Sequence, residues 1–310
     1  MAASDIATAL GAALPADCVL KRAEERRPYE CDALTAFREL PALVVLPRSE
    51  EQVREILLTC RRFGVPLVAR GSGTGLSGGA TPHPEGVLLS CARMNRVLDI
   101  DPVNRTARLE PGVPNLRISE LAAAHGLYYA PDPSSQVACS IGGNVAENSG
   151  GVHCLKYGLT LHNVLAVSGY TVEGERIELG AAGGALDAPG ALDLLSLVIG
   201  SEGLLMIVTE VTVKLIPRPP CARLVVASFA TVHRAADAVA AIIAAGLIPA
   251  GLEMMDRKAT VAVEPFVHAG YDLEAAATLG NAALCVSSLA SAVGVVAVNI
   301  NLAAENDRET

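Results

Sequence analysis

The chain has 310 residues and a net charge of −9, from 24 basic and 33 acidic side chains. Its 51% hydrophobic content against 18% charged supplies a core and excludes global disorder. The negative balance, with no long run of Lys or Arg, argues against nucleic acid as a partner. None of the eight cysteines forms a Cys-x-x-Cys pair, so neither a zinc site nor an iron–sulfur cluster is expected within the chain. They read as reduced, buried thiols of a cytoplasmic protein. Residues 1–20 lack the basic start and apolar run of a secretory signal.

Residues 1–40 read as a charged, helical lead-in. Residues 42–46 are an apolar run suited to a buried strand. Ser49 then opens a helix on which Val53, Ile56, Leu57 and Cys60 recur at helical spacing until Gly64 ends it. Residues 65–69 and 86–89 are two further strands. Residues 96–100 and 106–109 flank a turn, a hairpin signal. A helix over 114–125 has Pro114 in its opening and Gly126 after its end. A second hairpin is expected over 165–171 and 176–179, a helix over 191–199 and a long strand over 205–216. Pro217-Arg218-Pro219-Pro220 is the best linker, followed by a strand over 224–229 and a helix over 234–245. Hairpins and helices alternate without a βαβ rhythm, which favours α+β over a doubly wound parallel sheet.

Two glycine-dense segments stand out. The first is Arg70-Gly71-Ser72-Gly73-Thr74-Gly75-Leu76-Ser77-Gly78-Gly79, with five glycines in its last nine residues. Gly73-x-Gly75-x-x-Gly78 fits the Rossmann dinucleotide fingerprint literally. That motif should open a helix, and the following Gly79-Ala80-Thr81-Pro82-His83-Pro84 cannot make one. No Lys follows in the place a Walker A loop needs, and Ser72 lacks the Gly-x-Ser-x-Gly elbow. A loop of this kind can still gather backbone N–H groups around a diphosphate, with Ser72, Thr74 and Ser77 as added donors. A tight turn without ligand is the alternative. The second segment follows the turn Pro131-Asp132-Pro133-Ser134-Ser135. It reads Ser140-Ile141-Gly142-Gly143-Asn144-Val145-Ala146-Glu147-Asn148-Ser149-Gly150-Gly151. It is too poor in large apolar residues to be core and lets a ligand approach the backbone, or else it is a polar surface helix.

These two segments and Ile199-Gly200-Ser201-Glu202-Gly203 resemble, in order, the flavin-contacting stretches of the FAD-linked oxidases. That fold is the PCMH-type, vanillyl-alcohol oxidase-like flavin fold. Within it the chain is similar to the flavin-dependent 2-hydroxy-acid dehydrogenases, over about residues 41–271. The resemblance implies a PCMH-type FAD-binding domain of two α+β subdomains over 41–217. The start of a cap domain over 221–274 and an atypical apolar tail over 275–310 complete the expected organisation. It implies FAD as cofactor, its diphosphate on Arg70, Gly71, Ser72, Gly73, Thr74, Gly75, Leu76 and Ser77. Pro131, Asp132, Pro133, Ser134 and Ser135 would line the flavin side, with Gly142, Gly143, Asn144, Glu147, Asn148, Gly150, Gly151 and Val152. Glu202, Gly203, Ile207 and Val208 would form the last wall. Thr74 stands where covalently linked relatives carry a His, so FAD is expected to be non-covalent.

The implied reaction is oxidation of a small 2-hydroxy acid, glycolate or D-lactate, to the 2-oxo acid. Implied partners are a second flavin-type subunit and an iron–sulfur subunit, in a cytoplasmic protein held at the inner membrane through them. No catalytic residue and no metal ligand is assigned, because the part of the family that carries them has no counterpart here. His153 has two readings, a group at the flavin edge or a hydrogen-bonded wall residue. Met206 departs from the family, which carries Gly there. Residues 275–304 have no charge. A bilayer span is one reading; Asn281, Asn299, Asn301 and two glycines favour a truncated or altered ending instead. The rival functions are a non-catalytic FAD-binding fragment, an NAD-dependent Rossmann dehydrogenase and a colourless interaction protein.

Overall fold

A computed structural model describes residues 2–180, 192–285 and 296–297 of the chain. They fall into two compact units: Met1–Gly151 with Gly158–Arg218, and Val152–Tyr157 with Pro219–Thr310.

The first unit opens with α1 (Ala2–Ala13), β1 (Val19–Leu20) and the short α2 (Ala23–Arg26). Strand β2 (Leu43–Val45) leads into α3 (Glu50–Phe63) and β3 (Leu67–Arg70), and β4 (Val87–Ser90) follows the glycine loop. These strands make a sheet in the order β1-β2-β4-β3, parallel except for β1. Helix α3 forms where its caps say it should. Ser49 Oγ accepts from the Gln52 amide at 3.4 Å, Glu50 and Glu51 occupy the first turn, and Arg61 and Arg62 the last. Gly64 ends it in the left-handed conformation. Its buried Val53, Ile56, Leu57 and Cys60 share a core with Leu43, Val45, Val87 and Leu89. Ile6, Leu10 and Leu14 of α1 enter the same core. Residues 1–40 therefore do more than lead in: they supply an edge strand and one layer of this core.

The next elements are β5 (Val97–Asp101), β6 (Thr106–Leu109), α4 (Asn115–Ala122), β7 (Leu127–Tyr128) and α5 (Ile141–Glu147). After α6 (Cys154–Tyr157) come β8 (Val164–Tyr170), β9 (Arg176–Leu179), α7 (Leu194–Val198), β10 (Ile207–Lys214) and β11 (Ile216–Pro217). A five-stranded antiparallel sheet runs β5-β6-β10-β8-β9. Alternate residues of β10 are buried, as a half-covered antiparallel strand requires. Val211 and Val213 pack with Leu109, Ile118, Ile141 and Val145, which ties α4 and α5 to this sheet. Both expected hairpins are present. The helix expected over 191–199 is shorter, Leu194–Val198, with Asp193 as its cap.

The second unit contains α6 together with β12 (Cys221–Phe229), α8 (Val232–Ala244), β13 (Gly251–Asp256), α9 (Arg257–Val267) and β14 (Ala277–Cys285). With β15 (Val296–Ala297) the strands run β13-β14-β12-β15. Strand β14 pairs with β12 over nine residues and with β13 on its other edge, a central strand of this sheet within the span expected as an atypical tail. Its small apolar residues have no pattern of their own; they are strand because β12 and β13 flank them. Residues 286–295 and 298–310 lie outside the described residues. No helix among the described residues is long and apolar enough to cross a membrane.

Leu10 is fully buried, so Leu10→Ala should lower the stability of the first unit by about 2–5 kcal/mol. Urea unfolding followed by circular dichroism measures this.

Candidate cofactor site

Strand β3 ends at Arg70, and the chain then runs through the glycine loop with no helix before β4. The Rossmann reading fails here, because no helix N-terminus follows the glycines to receive a pyrophosphate. The loop is instead held from below and from the side. Arg70 is buried, and its Nη1 donates to the Cys31 carbonyl at 2.7 Å. Its guanidinium carbon lies 5.7 Å from the centre of the Tyr29 ring. Burial pulls the Arg70 pKa below its ordinary value, while the nearby Asp32, Cys31 and Tyr29 oppose this. Gly73 has φ +69°, and a side chain there would collide with the Arg70 guanidinium, so the loop turns directly over the charge. The Ala33 amide donates to the Gly75 carbonyl at 3.1 Å, fastening the lead-in segment to the loop.

Helix α5 forms the side wall. An ideal Cβ on Gly71 would lie 2.5 Å from Ser140 Oγ and 3.1 Å from Gly143 Cα, so only glycine allows this backbone approach. Ser140 is the N-cap residue of α5, yet its hydroxyl makes no cap bond. Its Oγ is buried without a hydrogen-bond partner. The Ile141 and Gly142 amides are used by the carbonyls of Val113 at 2.9 Å and Pro111 at 2.8 Å. Among the described residues, the amides of residues 72–79 donate no hydrogen bond within the protein. A buried carboxamide chain sets the height of α5. Asn144 Nδ2 donates to Asn115 Oδ1 at 2.8 Å, and Asn115 Nδ2 to the Pro131 carbonyl at 2.9 Å.

The third stretch closes the far end. The Gly200 and Glu202 amides each donate at 2.8 Å, to the carbonyls of Val145 and Ala146. Glu202 takes φ +54°, a costly conformation for a residue other than glycine. Ser77 Oγ donates to Glu147 Oε2 at 2.9 Å. Together these elements enclose a cleft of about 270 Å³ lined by Gly71, Ser72, Gly73, Thr74, Gly75, Leu76, Ser135, Ser140, Gly143, Asn144, Glu147 and Glu202. A narrower cavity of about 50 Å³ borders it, lined by Gly71, Gly143, Arg70, Gly142, Gly203, Ile207 and Val208. The cleft is acidic: Asp32, Glu147 and Glu202 all line it. Asp32 Oδ1 accepts from the Leu34 amide at 2.8 Å, while its buried Oδ2 has no hydrogen-bond partner.

Residues 41–180 match the family described as FAD binding domain, and residues 218–283 match the C-terminal domain of FAD linked oxidases. The chain belongs to the FAD-linked oxidases. FAD is the cofactor of the matched domain. The chain is 60% identical over 261 residues to glycolate oxidase subunit GlcD of Escherichia coli (strain K12), covering 84% of this chain and 52% of that protein. It is 40% identical over 254 residues to the GlcD subunit of Bacillus subtilis (strain 168), covering 82% and 54%. The chain thus spans about half the length of the curated relatives it matches. Its fold is similar to the solved structure of p-cresol methylhydroxylase with substrate bound. The TM-score is 0.76 at 17% identity, covering 91% of this chain and 61% of that one. The architecture is the α+β, PCMH-type flavin fold.

Within this FAD-linked oxidase, the first glycine segment and the core of the second meet in one cleft. Pro131, Asp132, Pro133 and Ser134 line neither cavity, nor do Asn148, Gly150, Gly151 and Val152. Gly151 packs on the Asp132 backbone. Asn148 closes α5 in the left-handed conformation and accepts from the Leu161 amide at 3.0 Å. Val152 and His153 belong to the second unit. There Val152 meets Gly251, and the His153 ring lies 6.4 Å from that of Tyr157. Sequence reasoning missed Asp32 and the cavity walls Cys91, Pro111 and Val198. No local pattern marks Asp32, whose burial comes from the loop folding over it.

Cys91, on the narrow cavity, is buried, and desolvation pushes its thiol from 9.0 up to about 12; Cys60 in α3 is pushed up to the same value. The folded state then holds protons that the unfolded chain releases. The stability this gives is complete below about pH 9 and is lost as pH rises towards about 12. The urea midpoint should fall between about pH 8 and pH 10.5. Both thiols should resist a disulfide reagent at about pH 8 until the protein unfolds.

Proposed function

We propose that this chain is the FAD-carrying part of an oxidoreductase that converts a small 2-hydroxy acid, glycolate or D-lactate, to the 2-oxo acid. The observation that carries the reading is the run of amides over residues 72–79 that donate to nothing in the protein, set above the buried Arg70. A diphosphate is the ligand such a surface suits: its oxygens accept from many donors at once, and Arg70 supplies the compensating charge. Ser140, whose Oγ is buried without a partner, lines the same cleft and is a further donor in this reading. The residues present therefore fit FAD.

The proposed roles follow from position. Arg70, Gly71, Ser72, Gly73, Thr74, Gly75, Leu76 and Ser77 hold the diphosphate. Ser135, Gly143, Asn144 and Glu147 form the wall opposite, and Gly203, Ile207 and Val208 the inner end. Pro131, Asp132, Pro133, Ser134, Asn148, Gly150 and Gly151 line the flavin side in this reading. Thr74 offers a hydroxyl and no imidazole, so the cofactor is held without a covalent bond. When bound, FAD supplies the two-electron acceptor for the CH–OH group; the chain supplies orientation and electrostatics. The 60% identity to a glycolate oxidase subunit supports glycolate as substrate, and with it further subunits, one flavin-type and one iron–sulfur. Such an assembly would hold the protein at the inner face of the membrane through its partners.

Purified protein reconstituted with FAD should show the flavin bands and release all flavin on acid precipitation. Anaerobic glycolate or D-lactate should bleach them. Bands that persist with either acid would leave an FAD-binding protein without this activity. Gly71→Val should weaken FAD binding by at least about tenfold, since its side chain must push α5 away. Quenching of flavin fluorescence on titration measures this, and unchanged affinity would contradict the role given to the loop.

A further inference from the structure

Two cavities share Met206 in their walls, together with Ala69, Gly203 and Ile207. Met206 is buried and forms part of the wall of the narrow cavity beneath Gly71 and Gly143. It also forms part of the wall of a second cavity, of about 300 Å³, lined by Leu57, Cys60, Val65 and Tyr170. Its methyl group occupies space that Gly169 leaves open: a Cβ on Gly169 would lie 2.7 Å from Met206 Cε. The narrow cavity borders the loop cleft, sharing Gly71, Gly143, Ala146 and Glu202 with it. Its other walls include the apolar Pro111, Val145, Val198 and Ile207 beside Arg70 and Ser201.

At about 50 Å³ the narrow cavity has room for little more than water. Sites for organic ligands span roughly 300 Å³ or more. A ligand held at the loop by its diphosphate carries a nucleoside on one side, and the apolar cavity beside the loop is where a flat base would lose water. The base cannot enter while Met206 stands where it does. The side chain, however, has three rotatable bonds and no branch, and the space behind it is already open.

We propose that Met206 is a movable wall. Entry of the nucleoside base turns its side chain out of the narrow cavity into the wider one, so the base pocket opens only when ligand arrives. The proposal rests on the reading that the loop holds an FAD diphosphate. It makes Met206 a determinant of cofactor affinity that acts on the nucleoside and not on the phosphates. Turning a packed side chain off its rotamer opposes binding, and truncation removes that opposition.

The test compares the full chain with Met206→Ala, using FAD, ADP and inorganic pyrophosphate. The variant should bind FAD and ADP roughly three- to tenfold more tightly, with pyrophosphate affinity unchanged. In wild-type protein carrying methyl-13C methionine, the Met206 resonance should move on adding ADP and stay in place with pyrophosphate. That second measurement needs no variant beyond one for assignment, for which Met206→Leu serves if the alanine protein does not fold. Equal FAD affinities in the two proteins, or a methyl resonance unmoved by bound ADP, would overturn the movable wall and leave the cofactor reading standing. Failure of both proteins to bind FAD and ADP would remove both.

Discussion

A guanidinium taken out of water must be matched, and the way Arg70 is matched shapes the loop above it. Burying an unpaired charge costs far more than a single packing contact yields. Here the charge is met by the Cys31 carbonyl, the face of the Tyr29 ring and the neighbouring Asp32. All three partners lie in the lead-in segment, which is why residues 29–33 must reach the loop. Gly73 then has to pass over the guanidinium in the left-handed conformation. Everything that follows, including the row of amides left without partners, is built on that buried cation.

The resulting cleft has an unusual electrostatic character for the phosphate site proposed for it. Three carboxylates line it, Asp32, Glu147 and Glu202. A bulk field of positive charge cannot be what draws a diphosphate to it. The attraction has to come from short-range donors, the loop amides and hydroxyls, which act at hydrogen-bond distance and are little screened by salt. Two of the carboxylates have structural partners of their own: Glu147 accepts from Ser77, and Asp32 accepts from the Leu34 amide. They fix the loop and the lead-in segment rather than compete for ligand. The same economy appears at Ser140, a helix-capping residue whose hydroxyl is withheld from its own helix.

Much of this was legible in the sequence because it is local. The caps of α3, the two hairpins and the glycine-dense segments each carry their own turn and end chemistry. What was not legible depends on partners distant in sequence. Strand β1 is two residues long and exists through pairing with β2. Strand β14, Ala277–Cys285, has no alternation to announce it and was read as an aberrant tail. It is strand because Cys221–Phe229 and Gly251–Asp256 pair with its two edges. The glycine loop was located from composition alone, but its support was not. Asp32 is an acid in a polar stretch until the loop covers it, and the wall formed by Met206 is visible only once β8 and β10 set Gly169 beside it. The residues around Pro131 and Gly151 are conspicuous in sequence, yet they line neither of the two cavities.

The central claim is that glycine-dense backbone over a buried arginine holds a diphosphate. A crystal structure of the chain reconstituted with FAD tests it most directly. The account predicts both phosphorus atoms above residues 71–77, within hydrogen-bonding reach of the loop amides and of Ser140 Oγ. Electron density that places the diphosphate elsewhere, or a fully folded protein whose loop stays empty at saturating FAD, would contradict it.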